Sequence, residues 1–247
     1  MRRDIAIVQA RMGSSRLPGK IMKNLCGKPV LWHVCNRLSY SEKIEEIVIA
    51  TTKNKEDLIV EKFCKENNIS YFRGSEKDVL LRYYEAAKLF NAEVVIRVTS
   101  DCPIIDPQIV DKMIEEFLLM NSSEICIDYL SNSLMRTFPR GLDVEIFTYQ
   151  ALEKANFGAR KEYEREHVTP YIYQHPQIFS IRNFENQIDY SFHRWTLDTE
   201  EDYKLIKKIY EFLYSDNSLF FLHDVLNLFE KKPELKEINK HIKQKEF

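Results

Sequence analysis

The chain carries no excess of positive charge. Its 36 Lys and Arg face 38 Asp and Glu, a net charge of −2, so no general affinity for nucleic acid or an anionic membrane is expected. No apolar run approaches the ~18–20 residues that a membrane span needs. The start, MRRDIAIV, sets two arginines before a short apolar stretch. Gln9 and Arg11 interrupt that stretch and no small-residue cleavage site follows, so no secretory leader is expected. The five cysteines (Cys26, Cys35, Cys64, Cys102, Cys126) contain no C-x-x-C pair, which leaves zinc sites and disulfide frameworks unsupported. Reduced thiols and a cytoplasmic location are the expectation. The chain also lacks G-x-x-x-x-G-K-[ST] and G-x-G-x-x-G, so it has neither of the commoner phosphate loops. It shows no internal repeat, low-complexity tract or linker, and no evident Ser-His-Asp or Cys-His nucleophile.

Strand-like and helix-like patterns alternate instead, which argues for an α/β fold with a mostly parallel central sheet. Strands are expected at 5–10, 46–51, 69–72 and 93–98. Helices are expected at 29–39, with Pro29 in the first turn, at 55–67, with Leu58, Val60, Phe63 and Cys64 inward, at 78–90, and from Asp106–Pro107 to about Met120. Beyond 124 the pattern loosens. Strands are expected at 125–130, 142–149 and 178–182, with a strand-like RWTL at 194–197. Helices are expected from Ala151, over 162–173 with a kink at Pro170, over 199–214, and as a solvated tail from Glu230. A length of 247 residues suits one domain, 1–247. Within it, 124–182 could form a subdomain for an acceptor site or a dimer contact.

Residues 5–20, IAIVQARMGSSRLPGK, are the densest in chemistry. A buried strand runs into a loop with Gly13, Ser14, Ser15 and Gly19, and Arg11, Arg16 and Lys20 are interleaved among them. Small residues let backbone N–H groups approach phosphate oxygens. Arginine grips two oxygens at once, and lysine adds a point charge. Four later segments accompany this loop. In RGSEKDV, Arg73, Gly74, Ser75 and Asp78 lie between a strand and a helix, either at the ligand edge of the sheet or as a plain capped turn. In RVTSDCPIID, Ser100 and Asp101 follow a buried strand, where a carboxylate facing a triphosphate suits Mg²⁺. In RTFPRGLDVEIF, Arg136 and Arg140 could hold an anionic acceptor. Asp143 and Glu145 share a strand face by period two, and an ordinary edge strand with solvated charges fits equally. In RWTLDTEEDY, Asp198 precedes a helix that Thr199 caps and the acidic first turn favours.

The string QARMGSSRLPGK, followed by Gly27-Lys28-Pro29, resembles the signature loop of sugar-activating nucleotidyltransferases in its cytidylyltransferase form. That branch includes the CMP-Kdo synthetases, the CMP-sialate synthetases and the spore-coat polysaccharide biosynthesis F-type proteins. The chain is most like the last group, from residue 4 to about 205. The resemblance implies a Rossmann-like, GT-A-like nucleotidyltransferase fold with helices on both faces of the sheet. It implies transfer of CMP from CTP to a sugar acid or a sugar or polyol phosphate, with pyrophosphate release, for a bacterial surface glycan. It points to Gln9 and Ala10 as readers of the pyrimidine and to the 73–78 region as a cover over base and sugar. It implies Asp101 and Asp198 as magnesium ligands, Arg165 and His167 of EREHVTPYIY as an extension of the acceptor pocket, and a homodimer. Asp202 matches a family aspartate, although a dipole-complementing role explains it as well. A sugar-1-phosphate nucleotidyltransferase using another base, a GT-A glycosyltransferase and a non-catalytic binding protein are the alternatives. The second usually shows a D-x-D motif where this chain has DCP.

Overall fold

In the computed structural model, which describes residues 3–122, 126–215 and 218–243, the apolar run after Arg3 forms β1 (Asp4–Gln9). It is followed by the small hairpin β2 (Asn24–Leu25) and β3 (Lys28–Pro29), then α1 (Val30–Leu38), β4 (Glu46–Thr52), α2 (Leu58–Glu66), β5 (Ser70–Gly74), α3 (Val79–Leu89) and β6 (Val94–Thr99). The second half holds α4 (Pro107–Asn121), β7 (Tyr129–Ser131), β8 (Glu145–Thr148), α5 (Tyr149–Gly158), α6 (Glu162–His167), α7 (Pro170–Tyr173), β9 (Ile181–Asn183), α8 (Glu200–Leu213) and α9 (Leu222–Lys231).

Seven strands form one sheet in the order β5-β4-β1-β6-β8-β7-β9. The first four run parallel. Strand β8 is antiparallel to both its neighbours, and β9 is parallel to β7. Alternate residues of β1 leave on opposite faces. Ala6 and Val8 pack with α1, α2, α4, α8 and α9, whereas Ile5 and Ile7 pack with α3, α5 and α7. A mostly parallel sheet is therefore what the pattern implied, and helices on both faces are what the resemblance implied. Each fully buried Val, Ile or Leu of these layers contributes roughly 1.5–3 kcal/mol. Strand order reverses at β1, between β4 and β6. In open α/β sheets the crevice at the carboxyl ends of such strands receives ligands.

Six local expectations need correction. Leu58 is half exposed, because the inward stripe of α2 is Val60, Phe63 and Cys64 and residue 58 lies off it at 100° per residue. Residue 125 of the expected 125–130 strand lies outside the described residues, and β7 begins only at Tyr129. Strand β8 begins at Glu145 rather than 142. The Asn132 amide bonds the Leu142 carbonyl and the Val144 N–H at 2.7 and 2.9 Å, taking the place of a strand partner. The helix expected over 162–173 is two helices, broken at Val168 with φ 74, and Pro170 starts the second. Residues 194–197 form no strand beyond a single bridge from Arg194 to Arg140. The last helix starts at Leu222, well before Glu230, and buries Val225, Leu228 and Phe229.

Two buried histidines give stability a pH dependence. His33 sits 2.6 Å from the Leu25 carbonyl among aromatic rings, and burial pushes it down to about 4. Burial, helped by Lys236, does the same to His193. An unfolded chain binds these protons near pH 6.5, while the folded chain refuses them until about 4. Stability is therefore full above about 6.5 and falls as pH drops toward 4. Urea midpoints should decline from pH 7.5 to 4.5, and His33→Asn should flatten the decline. Identical slopes in the two proteins would contradict this assignment.

Candidate active site

Strands β1 and β6 end side by side, with Gln9 opposite Thr99. The loop after β1 folds back on one carbonyl, since Met12 O accepts from Ser14 N and Gly19 N at 3.0 and 3.1 Å. The Met12 N–H donates to Asp57 Oδ1 at 2.7 Å. Asp57 is buried and also accepts from the Thr52 hydroxyl. Gly19 takes φ 66 and leads into a 3₁₀ turn at Lys20–Met22. A left-handed residue at that point turns Lys20 back over the sheet edge.

The Lys20 ammonium lies 2.7 Å from Asp101 Oδ2 and 2.8 Å from Asp198 Oδ1. Arg16 reaches Asp198 Oδ2 at 3.0 Å and Arg194 reaches it at 3.1 Å. Burial raises the Asp101 carboxyl, but the Lys20 charge and hydrogen bonds from Lys20 and Thr99 outweigh it and hold the group at about 2. Burial lowers Lys20, yet the two carboxylates prevail and raise it above its ordinary value. The ammonium therefore stays charged between two anions.

Backbone ties bring Asp198 to Asp101. Leu197 N donates to Asp101 O at 2.8 Å, and Thr196 Oγ1 to the same oxygen at 3.2 Å. The crossing depends on Gly141, whose φ is 103 and where a Cβ would stand 2.5 Å from the Trp195 backbone. Asp202, fully buried, anchors the strap. It takes two bonds from Arg194 at 2.9 Å, the N–H groups of Asp198 and Thr199 at 3.1 Å, and Asn239 at 2.8 Å. Its place is behind the site rather than in it. Asp202→Ala leaves Arg194 buried without that partner and should cost about 3–5 kcal/mol, read as a shifted denaturation midpoint. A shift under about 1 kcal/mol would contradict the anchoring role.

A cleft of about 280 Å³ opens over the loop. Gln9, Ala10, Arg11, Gly13, Ser14, Ser15, Arg16 and Lys20 line it, with Ser100 and Asp101 alongside. A second cleft of about 800 Å³ shares Gln9, Thr99 and His167 with the first and adds Arg140, Asp143 and Glu145. Arg140 makes no ion pair there among the described residues. Burial and the nearby Arg136 and Arg194 lower its affinity for a proton. Arg136 does not line the cleft and pairs with Asp143. The expected shared strand face is absent, because Asp143 precedes β8. Glu145 accepts from Arg97, from Tyr129 at 2.5 Å and from Thr169 at 2.5 Å, a buried network that supports the cleft wall. His167 is set by a tight turn in which Thr169 N reaches His167 O at 2.9 Å across Val168.

The segment 73–78 is not brought to either cleft. Arg73 binds the carbonyls of Thr52 and Asn54 at 2.9 and 3.0 Å and pairs with Glu61 at 2.7 Å. Ser75 Oγ accepts from Asp78 N at 3.0 Å, and Asp78 caps α3 through Leu81 N at 2.9 Å. Arg165 clamps Asp78 at 2.6 Å and the Asn156 carbonyl at 2.6 Å, in a hollow that shares Arg11, Val79 and Glu166 with the smaller cleft. The capping alternative thus describes these contacts, and Arg165 stands apart from the larger cleft.

Among the groups that the sequence reading did not single out, three are polar or charged residues on regular elements. Arg97 and Thr99 line the larger cleft from β6, and Arg82 lines the smaller from α3. Arg82 left a signal, a charge on the inward stripe of Val79, Tyr83 and Ala86, where charged residues are rare. For a divalent cation, Asp101 and Asp198 are the available oxygens. Among the described residues no cluster of three His, Cys, Asp or Glu could hold a metal. Two carboxylates suit magnesium, which takes one or two and fills its shell with phosphate oxygens and water.

Comparison with known proteins bears on the family and the fold. The family model described as "Cytidylyltransferase" matches residues 5–243. The spore coat polysaccharide biosynthesis protein SpsF of Bacillus subtilis is 33% identical, covering 83% of this chain and 85% of that protein. An uncharacterized protein of Methanocaldococcus jannaschii is 37% identical, covering 98% and 97%. The solved structure of a cytidylyltransferase from Leptospira borgpetersenii superposes with a TM-score of 0.90 at 36% identity, covering both chains completely.

Proposed function

This chain belongs to the cytidylyltransferase family and is a nucleotidyltransferase, and on that premise we propose that it transfers CMP from CTP to a sugar acid or a sugar or polyol phosphate. An acceptor oxygen attacks the α-phosphorus, either an ionised phosphate oxygen or a sugar hydroxyl that gives its proton to water. The new O–P bond forms as the bond to the β-phosphate oxygen breaks, and pyrophosphate leaves with the electron pair. The obstacle is repulsion between an anionic acceptor and a polyanion. Arg11, Arg16 and Lys20 offset it along the phosphate chain. Asp101 and Asp198 would hold Mg²⁺, which would supply further charge neutralisation. Gln9 and Ala10 face the base, with Gly13, Ser14, Ser15 and Ser100 offering backbone and hydroxyl donors. Arg140 meets the acceptor's negative group, and His167 stands where the two clefts join.

The observation that carries this reading is the single ammonium of Lys20 bridging Asp101 and Asp198 beside Arg16. It preassembles a cation and two hard-oxygen ligands at the sheet's carboxyl edge. The name of the Bacillus subtilis relative supports a glycan precursor as product. A pyrophosphate-release assay tests it, with the four nucleoside triphosphates and a panel of sugar acids and sugar and polyol phosphates. Release is expected with CTP and magnesium only. Release with another base would make the chain a nucleotidyltransferase of different base choice, contrary to the proposal.

A further inference from the structure

Arg82 is buried to about 1% exposure, yet it lines the smaller cleft beside Arg11 and Arg16. Its contacts do not balance its charge. One nitrogen, Nη1, donates to the Ser75 carbonyl at 2.6 Å, and Nε has no partner. Among the described residues no carboxylate pairs with it. The acidic groups nearest in its field are Asp57 and Glu76. Asp57 is committed to Met12 N and the Thr52 hydroxyl, and Glu76 leans toward Arg11 at 3.8 Å. The neighbouring Arg11 is a like charge. A buried guanidinium with five donors, one neutral acceptor and a cation beside it is costly. A methionine of similar length would fill the space without that cost. The stem is nonetheless seated with care. Gly74 lies against it, and a Cβ there would stand 2.9 Å from Arg82 Cγ.

We propose that Arg82 is a further phosphate-binding residue of this site, whose missing counter-charge is the triphosphate tail of the nucleotide. The inference rests on the reading above and deepens it. It makes α3 a wall of the nucleotide cleft, with Gly74 as the groove in which the arginine stem lies. A tail drawn between Arg82 and the loop cations completes the hydrogen bonds that Arg82 lacks when alone.

The test compares wild type with Arg82→Met, using calorimetric titration with CTP and with inorganic tripolyphosphate in magnesium, and melting without ligand. Affinity for both should fall about ten- to a hundred-fold, the effect of losing a charge-assisted bond. The unliganded variant should melt at the same temperature or higher, which a merely structural arginine would not allow. Arg82→Lys should recover part of the affinity. Unchanged tripolyphosphate affinity would overturn the proposal. A variant that melts lower or fails to fold would do the same, assigning Arg82 to the support of Ser75 and α3. Wild type that binds tripolyphosphate but not CTP, with Arg82→Met losing it, would support Arg82 while refuting the cytidylyl reading. Arg82→Met that matches wild type on CTP, with Lys20→Ala weakened, would refute Arg82 alone.

Discussion

Lys20→Ala is expected to slow CMP transfer about a hundred- to a thousand-fold in kcat, the loss that follows removal of one preorganised donor. The side chain is poised for that role before any nucleotide arrives. Its ammonium is nearly buried and tethered beside the phosphate loop by two carboxylates at 2.7 and 2.8 Å, the oxygens that a metal would claim. The same variant should change the unliganded protein in a second way. Without the ammonium, Asp101 loses the charge that keeps it near pKa 2, and two anions face each other across the cleft. Melting should then drop and be restored by magnesium more strongly than in wild type, since the metal no longer competes with Lys20. Pyrophosphate release within tenfold of wild type would remove Lys20 from the machinery. Equal responses of the two proteins to magnesium would remove the carboxylates.

Asp198→Asn should be the complementary loss, a fall in turnover of two orders of magnitude or more at a fixed magnesium concentration, with folding little changed. The amide keeps the shape and its one oxygen can still accept from Lys20 or from Arg16, which bond different oxygens of the carboxylate, but it is a poor ligand for a hard dication. Folding is spared because the strap is anchored elsewhere, by Leu197 on the Asp101 carbonyl and by Asp202 beneath. The contrast with Asp202→Ala is the useful one. Asp202 should act on stability, whereas Asp198 should act on the magnesium dependence of the rate. A magnesium optimum and a rate unchanged in Asp198→Asn would exclude it as a ligand.

The loop of residues 9–20 could be read directly because its chemistry is contiguous. Strand, small residues and cations follow one another, and the fold needs only to end the strand for the groups to gather. Asp101 was readable for the same reason, as a carboxylate just past a buried strand. Asp198 came from resemblance alone. Its proximity to Asp101 is made by backbone bonds from Thr196 and Leu197 and by a glycine crossing at Gly141, none of which has a periodic signature. The segment 73–78 shows the opposite difficulty. Gly, Ser and Asp after a strand serve a phosphate or a helix cap equally well, and here their side chains satisfy the start of α3 and the Arg165 clamp. Arg82 was hidden by its neighbours, since a helix rich in Leu, Tyr and Ala reads as core whatever one residue on the stripe carries. The long central strands are continuous apolar runs and α8 follows period 3.6, and both were clear. Strands β7 and β8 were blurred because a side-chain amide, Asn132, replaces part of their pairing.

Calorimetric titration of CTP into wild type, Asp101→Asn and Asp198→Asn, each with and without magnesium, tests the central claim most directly. The account predicts that magnesium tightens CTP binding in wild type and that either substitution removes the effect while the protein stays folded. The same magnesium-dependent gain in all three proteins would place the ion elsewhere and contradict the account.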